Sequence, residues 1–83
     1  MTDPVHRVFA ETLNVPVERI TDETAPDNTT EWDSLKAMDL VAAIEEAFSV
    51  ELTTAEIMAM RSVGRARAVL QKKGVVLVSN YRS

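Results

Sequence analysis

The chain predicts an all-α fold, a four-helix bundle of three main helices and one short helix, with a long loop after the first. Three observations predict it. Apolar residues recur at helical spacing in separate stretches, the mark of helices that bury one face. Asp, Ser or Thr stands ahead of each stretch, where helix caps belong, and Asn14 with Pro16, and later Gly74, stand where helices stop. The chain has 83 residues and no cysteine, so neither a disulfide nor a thiolate metal site supports it, and stability has to come from packed helices.

The first helix is predicted from Pro4 to Leu13. Asp3 caps it, and Pro4 suits a first position whose N–H would lack a partner anyway. Val5, Val8, Phe9 and Leu13 form its apolar stripe. Residues 14–32 make the long connection, rich in Pro, Asp, Asn and Thr, with Val15, Val17 and Ile20 as its pins. A connection of this length in a small domain is functional or held to the core.

The second helix is predicted from Ser34 to Phe48 or Ser49, with Asp33 as its cap. Ala37, Leu40, Val41, Ile44 and Phe48 fall at offsets of zero, three, four, seven and eleven, one helical stripe. Leu35, Met38 and Ala42 are expected to broaden that apolar face, and Asp39, Glu45 and Glu46 to face water. Leu52 anchors the next turn. Thr53 or Thr54 caps a short third helix through Met60, with Ile57 and Met60 inward. Ser62 caps a fourth, with Val63, Ala66, Val69 and Leu70 inward and Gly74 as the stop. Residues 1–74 read as one domain. Residues 75–83 read as an apolar, β-prone tail that folds back, pairs with a partner or is disordered.

The net charge of −4 conceals an asymmetry. Residues 27–56 hold eight acids against Lys36 alone, whereas residues 57–83 hold six bases and no acid. The acidic middle attracts basic partners and repels nucleic acid, unless acids and bases pair across the fold. The basic stretch 61–73 is the one feature that favours nucleic acid, and the pI of 4.8 opposes it. No apolar run reaches the length of a membrane span, so no membrane insertion is expected. Met1-Thr2-Asp3-Pro4 lacks the basic-then-apolar order of a secretory signal, which makes the cytoplasm the expected location. A monomer is the default expectation.

Ser34 is the residue that invites chemistry, because it falls where a loop becomes a helix on an acidic surface. A nucleophilic serine needs a base within hydrogen-bond reach and an oxyanion hole. The single histidine is His6, in the first helix, and with two glycines in all there is no Gly-x-Ser-x-Gly elbow. Self-contained catalysis is therefore not expected. Asp33-Ser34 alone is an ordinary helix start. Set on this acidic surface, the hydroxyl suits a group that is modified rather than one that attacks.

The helix pattern, the long first loop, and Trp32-Asp33-Ser34-Leu35-Lys36-Ala37-Met38-Asp39-Leu40, followed by Ile44-Glu45-Glu46-Ala47-Phe48, together resemble the acyl carrier protein family over roughly residues 3–73. The resemblance implies an acyl-carrier-like bundle and a non-catalytic protein. It implies covalent 4′-phosphopantetheine, taken from coenzyme A and attached to Ser34 as a phosphodiester, with Asp33 and Leu35 completing the motif. The implied partners are a phosphopantetheinyl transferase and the acyl-loading and acyl-accepting enzymes of lipid, polyketide or other specialised biosynthesis. Asp33, Asp39, Glu45 and Glu46, with Met38, are the residues expected to dock partners, and the resemblance implies that this face meets basic enzyme surfaces. Leu35, Met38, Ala42, Met60 and Val63 are expected around a space for the arm or a short acyl chain.

Trp32 departs from the small residue that usually precedes Asp-Ser-Leu in fatty-acid carriers, and Trp-Asp-Ser-Leu looks more like stand-alone carriers of specialised pathways. An aminoacyl or peptidyl carrier, including a D-alanyl one, is the alternative. An unmodified helical interaction module, with Ser34 only beginning a helix, is the alternative of a different class.

Overall fold

The computed structural model describes residues 3–75. Four α-helices carry the fold: α1 (Pro4–Leu13), α2 (Ser34–Phe48), α3 (Thr54–Ala59) and α4 (Val63–Lys72). Two short 3-10 turns, Val17–Arg19 and Pro26–Asn28, punctuate the loop between α1 and α2. There is no strand among the described residues. None of these helices is long and apolar enough to cross a membrane.

Each helix begins on the cap its sequence provides. Asp3 Oδ1 accepts the N–H of Val5 at 2.9 Å, and Asp33 Oδ1 accepts that of Lys36 at 2.9 Å. Thr53, not Thr54, caps α3. Its hydroxyl accepts the Glu56 N–H at 3.2 Å while Glu56 Oε1 accepts the Thr53 N–H at 2.9 Å, a reciprocal pair that supports a six-residue helix. Ser62 Oγ accepts the Arg65 N–H at 3.1 Å. Asn14 and Ser49 close α1 and α2 in the left-handed region, at φ 61° and 56°. Gly74, at φ 89°, follows α4, and there the absence of a side chain is what permits the turn.

The core lies where α1, α2 and α4 converge. Val5, Phe9 and Leu13 of α1, Leu40 and Ile44 of α2, and Val63, Ala66 and Leu70 of α4 are buried. Ile20 pins the long loop, with Val15 and Val17 packed beside it. Val75 packs on the same core, and its N–H reaches Leu70 O at 3.0 Å. The rest of the C-terminal tail, from residue 76 onward, lies outside the described residues.

Two sequence expectations change. Leu35 and Met38 do not broaden the buried face of α2: they are 75% and 72% exposed, and Ala42 is exposed as well. At about 100° per residue, Leu35 and Ala42 fall roughly opposite Ile44, so the three residues form a second apolar stripe that points away from the core. Trp32, read from sequence only as a departure beside the serine, is a core residue at 6% exposure. Its ring lies 5.3 Å from that of Phe9 at an interplanar angle of 54°.

Candidate functional site

The loop–α2 junction is built from the loop upward. Arg19 of the first 3-10 turn pairs with Glu31 at 3.4 Å, and the Trp32 N–H donates to Thr29 O at 3.0 Å. Glu31's own N–H, and then Arg19, hold its carboxyl below the usual carboxylate range. Trp32 turns inward onto Phe9, so the next two residues emerge into solvent. Asp33 and Ser34 are both exposed.

Asp33 supplies the cap, which leaves the hydroxyl of Ser34 uncommitted to the helix start. The Lys36 N–H is taken by Asp33, whereas the amides of Ser34 and Leu35 open into the mouth of the helix without intrahelical partners. The positive end of the helix dipole points the same way. The junction therefore presents a reachable hydroxyl together with backbone donors able to hold an attached phosphate, and Lys36 adds a positive charge one turn in.

Beyond the serine, α2 presents a mixed face. Leu35, Met38, Asp39, Ala42 and Glu46 are all exposed, and their spacing sets them on the side away from Ile44. Among the described residues Asp33, Asp39, Glu45 and Glu46 make no salt bridge. Glu45 differs from its neighbours. It is half-buried, and its Oε2 accepts the Leu52 N–H at 2.9 Å, so it fastens the α2–α3 turn.

Helix α3 meets α2 through Ile57, which shares a cleft with Ala37, Leu40, Val41 and Ile44. Met58 is 69% exposed, and Ile57, expected to point inward, lines the cleft between the helices while remaining 37% exposed. The Thr53 N–H, and then the Lys73 ammonium at 2.9 Å, hold the Glu56 carboxyl below its ordinary range. That pair ties α3 to the end of α4.

Between the helices lies a cleft of about 40 Å³ lined by Phe9, Trp32, Ala37, Leu40, Val41, Ile44, Ile57 and Met60. Of the residues expected around an arm or acyl space, only Met60 lines it. Val63 is fully buried in the core, and Leu35, Met38 and Ala42 lie on the outer stripe of α2. The other walls, Phe9, Trp32 and Ile57 among them, were not expected around such a space.

His6 lies on α1 with its Nε2 2.9 Å from Asp22 Oδ1. No group of His, Asp and Glu able to hold a metal occurs among the described residues.

A family model described as a phosphopantetheine attachment site matches residues 3–68. With that match over most of the chain, on an all-α bundle of this form, the protein belongs to the phosphopantetheine-binding carriers of the acyl carrier protein family. Members carry 4′-phosphopantetheine covalently and are carriers, not catalysts. They are modified by a phosphopantetheinyl transferase and work by interacting with enzymes.

Proposed function

We propose that Ser34 is the attachment residue and that the chain carries acyl groups as thioesters, delivering them to enzymes of lipid, polyketide or other specialised biosynthesis. The observation that carries this is the exposed Ser34 hydroxyl at the start of α2, left free because Asp33 caps the helix. In the transfer, Ser34 Oγ loses its proton and forms the phosphodiester, and the remainder of coenzyme A leaves as adenosine 3′,5′-bisphosphate. The arm ends in a thiol, which supplies the reactive group that this cysteine-free chain lacks. The amides of Ser34 and Leu35 and the dipole of α2 hold the phosphate, offsetting its repulsion from Asp33. Tethering keeps the thioester at high effective concentration for a docked enzyme.

Residues 1–74 form the carrier unit in this reading, supported by the family match over 3–68. The docking face is Leu35, Met38, Asp39 and Glu46. An exposed apolar stripe flanked by unpaired acids suits a basic enzyme surface with an apolar centre, bound transiently and sensitively to salt. Glu45, busy with Leu52, contributes by holding the α2–α3 turn.

An aminoacyl cargo, D-alanine included, is the second reading, favoured by the small size of the interhelical cleft. Incubation with coenzyme A and a broad-specificity phosphopantetheinyl transferase, followed by intact mass measurement, tests the attachment. A gain of one phosphopantetheine that Ser34→Ala abolishes is expected. A gain that survives in Ser34→Ala places the group elsewhere. The mass of the cargo acquired from cell extract then separates acyl from aminoacyl.

A further inference from the structure

We infer that Trp32 closes the interhelical cleft to long chains, so that this carrier takes short or polar cargo and holds it in solvent. The inference rests on the reading of Ser34 as the attachment residue.

An apolar chain hung from Ser34 is drawn out of water only if the protein offers it an apolar volume. The cleft between α1, α2 and α3 has the right chemistry and place. Its walls are apolar, and they include Trp32, two residues before the serine, and Ala37, about one turn after it. Its volume is the obstacle. At about 40 Å³ it has room for roughly three water-sized groups. The buried indole forms one of its walls.

Trp32 is not a loose flap. It is 6% exposed, its ring is tilted on Phe9 at 5.3 Å, and its backbone N–H is tied to Thr29. Admitting a chain would require breaking the aromatic contact and exposing the ring, a loss each additional carbon would first have to repay. Cargo of two to four carbons, or cargo with a polar group, gains little from burial and does not meet this barrier. Trp32 is then a specificity-determining residue, acting through exclusion.

The test loads the full chain with acetyl-, butanoyl-, hexanoyl- and octanoyl-pantetheine from the corresponding acyl-coenzyme A, using a broad-specificity transferase. Each species is verified by intact mass, and its thermal midpoint is then measured. Midpoints agreeing within about 2 °C across the series are expected, because every methylene that left water would add roughly 3–6 °C. Trp32→Leu, and Ile57→Ala from the more exposed side, are expected to restore a rise with chain length. Should Trp32→Leu fail to fold, Ile57→Ala and the emission of the single tryptophan decide, the latter staying unchanged from acetyl to octanoyl in the parent chain. A midpoint that climbs with length in the parent, or an emission shift on octanoyl loading, overturns the inference while leaving Ser34 as the attachment residue. No mass gain at all overturns the attachment reading itself, and this inference with it.

Discussion

The guanidinium of Arg67 on α4 lies 2.8 Å from the carboxylate of Asp22 in the long loop, 45 positions earlier in the chain. The same Nη2 is 2.7 Å from Asp3 Oδ2, at the cap of α1, and His6 Nε2 meets the same Asp22 Oδ1 at 2.9 Å. The loop backbone joins the knot: the Gly64 N–H donates to Asp22 O at 2.8 Å and the Val63 N–H to Thr24 O at 2.9 Å. One side chain thus holds together α1, α4 and the loop that delivers Trp32 and Ser34.

Arg67→Met should cost about 1–3 kcal/mol in urea unfolding, because it strands two carboxylates that share one partly buried partner. Asp22→Asn should cost less, since Asp22 is half exposed and water can replace the lost contacts. Equal stability of Arg67→Met and the parent would show that the knot is not structural.

Acid should loosen the same knot. Hydrogen bonds from Arg67 and then His6 hold the Asp22 carboxyl below its ordinary 3.8. For Asp3 burial pushes upward, but the Arg67 and Val5 hydrogen bonds outweigh it, and the carboxyl again lies below 3.8. Between the folded and unfolded values the unfolded chain binds more protons, so stability is full above the unfolded value and is lost as pH falls through the folded one. Urea midpoints compared at about pH 3 and about pH 6 should therefore drop on acidification, and drop less in Arg67→Met.

Ser34→Ala and Asp33→Ala should separate chemistry from folding. The serine hydroxyl caps nothing, so Ser34→Ala should stay within about 0.5 kcal/mol of the parent while losing the modification. Asp33→Ala removes the cap on α2 and should cost about 1 kcal/mol. Thermal midpoints of the unmodified variants check both, and a large loss in Ser34→Ala would make the hydroxyl structural.

Adjacent glutamates should behave oppositely. Glu45→Ala removes the acceptor of the half-buried Leu52 N–H and should destabilise by about 1 kcal/mol. Glu46→Gln, on the outer face, should leave stability unchanged. It should weaken binding to a basic partner enzyme several-fold at low salt, with the difference fading as salt rises. Titration of the pair against the transferase, alongside urea unfolding, distinguishes them.

Gly64→Ala should be destabilising despite the better helix propensity of alanine. Its Cβ would stand 3.1 Å from Asp22 O and 3.3 Å from Asp22 Cβ. That backbone cannot retreat easily while Arg67 and the Gly64 N–H itself hold it. A net loss of about 1 kcal/mol is expected from overpacking, read as a lowered thermal midpoint.

Local signals were legible because their physics is local. Asp3 before Pro4, Asp33 before the α2 stripe and Ser62 before Val63 each satisfy a backbone donor within a few residues, so the helix starts follow from neighbours in sequence. Glu45 and Glu46 were indistinguishable for the complementary reason. Both lie outside the stripe, and only the position of Leu52, brought up by the following turn, makes one of them an anchor. Leu35, Met38 and Ala42 misled because an apolar residue reads the same whether its stripe meets the core or a partner.

Sequence alone determined the helix order, the capped junction at Asp33-Ser34 and the acidic character of the second helix, since composition and spacing carry these directly. Tertiary packing alone decided that Trp32 turns inward onto Phe9, that Arg67 gathers Asp3 and Asp22, and that the cleft behind the serine is small. Those outcomes depend on contacts between residues far apart in the chain, and no local periodicity encodes the volume left when three helices and a loop close on one another.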